Sequence, residues 1–177
     1  METDIPTVLS RTRSIPEVKI RPTALGDEII LGRLYAEAYF ELMDQLPPAK
    51  SDTLEDFAEV MTSLFVKASK ENHKDIFRRI AECSGDAVGF LITRVTQEHG
   101  YVGEIGVIPP HRRKGIAQAL LREFASFLEE KGIQRIKLDV NAKNTPAIGL
   151  CESCGFKRIR KWSSQTLNSS SSALLEA

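Results

Sequence analysis

The sequence lacks an excess of either charge: 24 Lys and Arg balance 24 Asp and Glu, for a formal net charge of zero. A chain with that balance carries no whole-protein electrostatic case for nucleic acid, because phosphate binding needs surplus cations. Long hydrophobic runs are also missing. The apolar stretch Ala87 to Ile92 is far short of the roughly 20 residues that cross a bilayer. Cysteine is scarce: of Cys83, Cys151 and Cys154, any intramolecular pairing leaves one over. Cys151 and Cys154 have redox or zinc spacing, but no second pair completes a metal site, so no metal is expected. Residues Met1 to Pro6 have neither a basic start nor an apolar stretch, which speaks against a secretory signal. Together with the odd thiols this leads to the expectation of a cytoplasmic protein. No internal repeat is present. A Gly-Lys-Ser/Thr nucleotide loop and a Gly-x-Gly-x-x-Gly dinucleotide turn are both absent.

What remains is enough for one domain: 177 residues, 42% hydrophobic and 27% charged, within the range of ordinary globular chains. The element order predicts a mixed α/β domain with a central sheet flanked by helices. Residues 1–15 lack periodicity and read as a flexible leader. Val18 to Arg21 alternate as a strand that Pro22 ends. A helix opens at Gly26-Asp27 with Ile30, Leu34, Ala38 and Leu42 at four-residue steps, and stops at Pro47-Pro48. A second begins near Thr53 with Phe57, Met61, Leu64 and Phe65 on one face. Strands are predicted over 76–81, 87–95 and 101–108. A helix follows over 116–131 with Ile116, Leu120, Phe124, Phe127 and Leu128 inward, ended by Gly132. Next come a strand over 136–140, a short helix capped by Asn144 and ending at Gly155, and a strand over 156–162. The domain is thus bounded at 16–163, and residues 164–177 form a serine-rich tail with a possible short strand at Ala173 to Leu175. That weak final strand suggests a homodimer in which a partner completes the sheet edge.

Chemistry concentrates in Val107 to Ala117, where a strand runs through a basic, glycine-containing turn into an amphipathic helix. Free N–H groups and the positive helix end there converge on one point, a site for phosphate or pyrophosphate. Gly115 allows an anion close to the backbone, Ala117 keeps the first turn uncrowded, and Arg112, Arg113 and Lys114 add charge.

These residues resemble the cofactor loop of the GCN5-related N-acetyltransferase (GNAT) superfamily, which reads Gln/Arg-x-x-Gly-x-Gly/Ala. Arg112 to Ala117 fit it, preceded by Val107-Ile108-Pro109. Downstream, Asn144, Ala147, Leu150, Glu152, Gly155 and Phe156 resemble the superfamily's Asn-x-x-Ala-x-x-Leu-Tyr-Glu-x-x-Gly-Phe. The resemblance is sharp over residues 101–158. It implies an acetyl-CoA site between the strand ending at Val107 and the strand ending at Val140. Backbone amides from Arg113 through Lys114, Gly115, Ile116 and Ala117 to Gln118 would grip the pyrophosphate. Main chain of Ile105, Gly106 and Val107 would pair with the pantetheine arm, one N–H polarising the thioester carbonyl, and Asn144 would contact the cofactor.

The reaction so implied is direct attack of an amine on the thioester. An ammonium near pKa 10.4 must first lose a proton, and Glu104 and Asp139 are the candidate bases. The superfamily's Tyr, which protonates the departing thiolate, is replaced by Cys151. Either this thiol serves or water does. Seven acids between Glu37 and Glu59 (Glu37, Glu41, Asp44, Asp52, Glu55, Asp56, Glu59) face one base, Lys50, which suggests a cationic acceptor. The function expected is acetyl transfer from acetyl-CoA to a primary amine. The alternatives are a non-catalytic acyl-CoA-binding module and an enzyme that carries the acyl group on Cys151.

Overall fold

The structure, a computed structural model, describes residues 1–41, 53–70 and 75–159. In chain order the elements are β1 (Glu2–Asp4), α1 (Ile5–Arg11), β2 (Val18–Pro22), α2 (Glu28–Tyr39) and α3 (Leu54–Lys70). Then follow β3 (Ile76–Cys83), β4 (Asp86–Val95), β5 (Gly100–Val107), a 3₁₀ turn (Pro109–His111), α4 (Ile116–Glu130), β6 (Arg135–Leu138) and α5 (Thr145–Ser153). The described residues form one six-stranded sheet in the order β1-β6-β5-β4-β3-β2. Each neighbouring pair is antiparallel except β5 and β6, which α4 joins as the crossover that a parallel pair requires.

Side-chain alternation along β4 sets the two layers. Phe90 packs against Tyr35 and Tyr39 of α2, while a side chain at the adjacent Gly89 would meet Ile116 of α4. Helices α2 and α3 therefore cover one face, and α4, with α1 packed on it, covers the other. Helix α4 buries Ile116, Ala119, Leu120, Leu121, Phe124, Ala125 and Leu128, the 3.6-residue stripe expected of it. Phe127 stacks at the core's margin, 4.4 Å from Phe77. Phe57, Met61 and Phe65 are the buried residues of α3.

The leader expected over residues 1–15 is corrected. Residues 2–4 form β1, paired with β6 through Glu2↔Lys137, Thr3↔Ile136 and Asp4↔Arg135. Asp4 caps α1 by accepting from the Thr7 amide at 2.8 Å, and Ile5 and Val8 are fully enclosed in the core. Arg122 of α4 donates to the carbonyls of Leu9 at 2.6 Å and Thr12 at 2.9 Å, fixing the end of α1. The signal was present in Asp4, Pro6 and the Ile5/Val8 spacing, but seven helical residues are too few for periodicity to stand out.

Two strand boundaries differ as well. Strand β6 stops at Leu138 rather than Val140, because the chain there leaves its neighbour. Within the strand expected over 156–162, the described part makes a single bridge, Lys157 to Glu2. Residues 160–177, the Pro47-Pro48 stop, Leu42, Asp44, Lys50, Asp52 and the strand proposed at Ala173 to Leu175 lie outside the described residues.

Candidate active site

Strands β5 and β6 begin as a pair and then part. Their register runs Gly100↔Ile136, Tyr101↔Lys137, Val102↔Leu138 and goes no further. On its other side β5 is bulged: Ile92 faces Glu104 and Thr93 faces Val102, which leaves Gly103 as the extra residue. A bulge bends its strand and re-aims the side chains beyond it. Above Val102, β5 consequently has a partner on one side only.

The orientation of that open edge follows from one bond. The Ile108 amide donates to Val88 at 3.0 Å, so the residues that bond β4 are Ile108 and, two steps back, Gly106. Ile105 and Val107 turn their N–H and C=O toward the opening. Both carbonyls are held there. Ile105 accepts from the Tyr39 hydroxyl at 2.7 Å, and Val107 accepts from Arg112 Nε at 3.1 Å. The edge thus presents the amides of Ile105 and Val107, which have no partner among the described residues.

Beyond β5 the chain makes the 3₁₀ turn and then curls through two left-handed residues, Arg113 (φ 64°) and Gly115 (φ 83°). Gly115 is the residue before α4 and offers no side-chain cap. A Cβ there would also approach Ile15 to 3.1 Å. Among the described residues, the amides of Arg113, Lys114, Gly115, Ile116, Ala117 and Gln118 have no hydrogen-bond partner. Such a run of amides at a helix N-terminus is an anion cradle. Arg113 and Lys114 are exposed beside it. The Gln118 side chain donates to Ser153 Oγ at 3.1 Å and so braces α4 against α5.

On the α2 side of the opening lies a set of phenols and carboxylates. Glu104 is half-buried as a residue, but its carboxyl is enclosed, and burial pushes its pKa up to about 7, against the neighbouring Tyr39 and Tyr35 hydroxyls, which lower it. Burial likewise raises Tyr35 and Tyr39 well above the usual phenol range, with the Glu104 charge adding to it. At the apex of the opening, the Tyr101 hydroxyl donates to Asp139 Oδ2 at 2.9 Å. Burial first, and then that bond, raise the Tyr101 pKa. Asp139 itself is exposed.

Several residues singled out in the sequence make contacts within the fold. Arg112 places its guanidinium on the protein: besides Val107 it donates to Ala38 at 2.9 Å and lies 3.5 Å from Glu41. Asn144 uses Oδ1 to cap α5 through the Ala147 amide at 3.1 Å. Cys151 is buried at 5% exposure, and desolvation pushes its thiol up to about 12. Burial of this kind disfavours the thiolate form. Of the acidic span, Glu37 pairs with Arg33 at 3.2 Å and Glu41 with Arg112, while Glu55, Asp56 and Glu59 are exposed on α3.

The sequence reading missed Tyr35, Tyr39 and Tyr101. The first two are four residues apart on α2, a spacing that shares a face, yet their meaning depended on Glu104 lying opposite. A cavity of about 980 Å³ opens at the other end of the sheet, between Ile76 of β3, Val95 of β4 and Lys131 after α4, away from this chemistry. Among the described residues there is no cluster of metal-ligating side chains and no helix long and apolar enough to cross a membrane.

A mixed sheet that opens between two parallel strands, over a run of free amides at a helix start, is the architecture of the GNAT acetyltransferases. The chain belongs to the Acetyltransferase (GNAT) family, whose profile matches residues 34–156. It is similar to the [ribosomal protein bS18]-alanine N-acetyltransferase of Escherichia coli (strain K12), 37% identical over 73 residues, 41% of this chain and 49% of that protein. It is also similar to an N-alpha-acetyltransferase of Sulfurisphaera tokodaii, 30% identical over 109 residues, 54% of this chain and 64% of the relative. The chain spans about half the length of the first of these. Among solved structures, PaiA N-acetyltransferase from Thermoplasma acidophilum, in complex with coenzyme A, shares the fold. It has a TM-score of 0.67 and 19% identity, covering 83% of this chain and 94% of that one. The ribosomal-protein-S18-alanine N-acetyltransferase from Escherichia coli shares it with a TM-score of 0.63 and 22% identity, over 81% and 79% of the two chains.

Proposed function

We propose that the protein transfers an acetyl group from acetyl-CoA to a primary amine, with a peptide N-terminus, as in the relatives named above, the first acceptor class to test. The observation that carries this reading is the alignment of the open β5 edge with the amide cradle. The unpartnered amides of Ile105 and Val107 lead straight into those of residues 113–118. One end suits carbonyl oxygens and the other a pyrophosphate. Acetyl-CoA supplies the activated acetyl thioester, which an amine attacks directly.

The chain's own residues account for the rest. An Ile105 or Val107 amide stands where it can stabilise negative charge developing on a carbonyl oxygen. Glu104, with a pKa near 7, is balanced between accepting and releasing a proton at neutral pH, the condition for a general base. Asp139, exposed and already holding Tyr101, serves better as an anchor for a cationic acceptor. The departing thiolate takes its proton from water rather than from Cys151. Exposed Glu55, Asp56 and Glu59 extend the negative surface of the α3 wall, which favours a cationic acceptor. Neutralising these three should raise KM for a cationic acceptor about threefold or more; an unchanged KM would remove the charge argument.

Calorimetric titration with acetyl-CoA tests the reading at its base. The natural protein should bind, and Gly115→Glu should not, since a side chain at φ 83° is strained and a carboxylate would occupy the cradle. Release of CoA in a screen of peptide N-termini, lysines and small amines then separates an enzyme from a non-catalytic binding module. Absence of binding by the natural protein would refute the donor assignment.

A further inference from the structure

The geometry points to Arg112 as a coupling strut, a positioning residue that transmits occupancy of the amide cradle to the acceptor wall instead of touching the donor. This deepens the function proposed above and rests on it for the identity of the donor. Arg112 follows the 3₁₀ turn and immediately precedes Arg113, the first residue of the cradle. Its three guanidinium nitrogens reach three different parts of the fold. Nε donates to Val107, the last residue of β5, at 3.1 Å. Nη2 donates to the Ala38 carbonyl in the last turn of α2 at 2.9 Å. Nη1 lies 3.5 Å from the Glu41 carboxylate just past that helix.

Carbonyls at a helix C-terminus lack intrahelical donors and favour a cation, so the Ala38 contact is a natural anchor. A planar guanidinium spans these partners at once, whereas a lysine ammonium is a single point of charge. The next residue on α2, Tyr39, makes the second tie by donating to Ile105 at 2.7 Å. The last turn of α2 is thereby fastened to the open half of β5 at two successive outward-facing carbonyls, and one of the fastenings comes from the residue that leads into the cradle.

The consequence concerns Glu104. The Tyr35 and Tyr39 hydroxyls of the same helix lie beside its carboxyl. Ordering the cradle around an anion therefore fixes Arg112, which fixes the last turn of α2, which sets the phenols around the candidate base. Donor binding assembles the acceptor side, and the coupling is reciprocal.

Hydrogen exchange with and without coenzyme A tests this in the natural protein, Arg112→Gln and Arg112→Lys, with thermal melting to confirm that each is folded. In the natural protein, coenzyme A should slow exchange about tenfold at the cradle amides (113–118) and also at the last turn of α2 and the two residues past it (36–41). In the variants coenzyme A should bind within about threefold of the natural Kd and still protect the cradle, while protection at 36–41 disappears. Acceptor kcat/KM should fall about tenfold with the acetyl-CoA KM little changed. If a folded Arg112→Lys loses coenzyme A binding, Arg112 is a donor ligand and the inference is wrong. It is equally wrong if 36–41 stay protected in both variants, or if coenzyme A binds the natural protein without protecting them. Absence of coenzyme A binding by the natural protein would overturn the donor reading and this inference with it.

Discussion

Replacing Glu104 by Gln separates the energetic effect of enclosing a carboxyl from the chemistry it performs. Burial holds the folded-state pKa at about 7, against an ordinary value of 4.5. Near pH 4 and below, the group is protonated in folded and unfolded chains alike and has little effect on stability. As the pH rises, the unfolded chain releases its proton first, so folding stability declines until the folded carboxyl ionises as well, near pH 7. A gap of about 2.5 pH units, at 1.36 kcal/mol each, makes that decline about 3 kcal/mol. Glutamine has nearly the same shape and does not ionise. The variant should therefore match the natural protein near pH 4 and exceed it by about 3 kcal/mol at pH 8.5. Urea unfolding at pH 4, 6 and 8.5 reads the difference directly. Activity should move the other way. Loss of a general base lowers kcat/KM by about 10² to 10⁴, and the natural enzyme's profile should rise through pH 7 where the variant's does not. A stability difference that is flat across pH would refute the enclosed-carboxyl argument. A stabilised variant with undiminished turnover would leave the enclosure standing and remove Glu104 as the base.

Cys151→Ala should keep turnover within about threefold, because its buried thiol, raised to about 12, is no proton donor; a loss of a hundredfold would restore it to the mechanism. Ile5→Ala should destabilise the domain by about 2–4 kcal/mol, read from urea unfolding, because Ile5 is 1% exposed under α4. An effect below about 0.5 kcal/mol, the size usual for surface substitutions, would return the N-terminal segment to the role of a loose leader.

What the sequence made legible were features written locally. The α4 stripe, the turn at Gly115 and the Asn144 cap each depend on residues within a few positions of one another, and each stands where it was expected. The open edge was legible only through resemblance, since nothing in Gly103-Glu104-Ile105 announces that β6 will part company at Leu138. The side chains that complete the site come from distant elements. Tyr39 and Ile105 are 66 positions apart, and Arg112 and Ala38 are 74 apart. Local pattern carries no information about such pairs. That is why the sequence showed Arg112 as charge beside the loop without its bonds to the Val107 and Ala38 carbonyls, and Cys151 without its burial.

The same pairs explain how an interrupted sheet remains stable. Parting β5 from β6 leaves main-chain groups of Ile105 and Val107 without a strand to bond, and enclosed polar groups left unpaired are destabilising. Tyr39 and Arg112 satisfy the two carbonyls from outside the sheet, which leaves only the amides facing the opening. An edge so prepared favours ligands rich in carbonyl oxygens and offers little to another β-strand, which would need acceptors as well as donors. It also makes β5 inseparable from α2: the groups that stabilise the gap in the sheet are the ones that bring the last turn of α2, and the phenols beside Glu104, up against it.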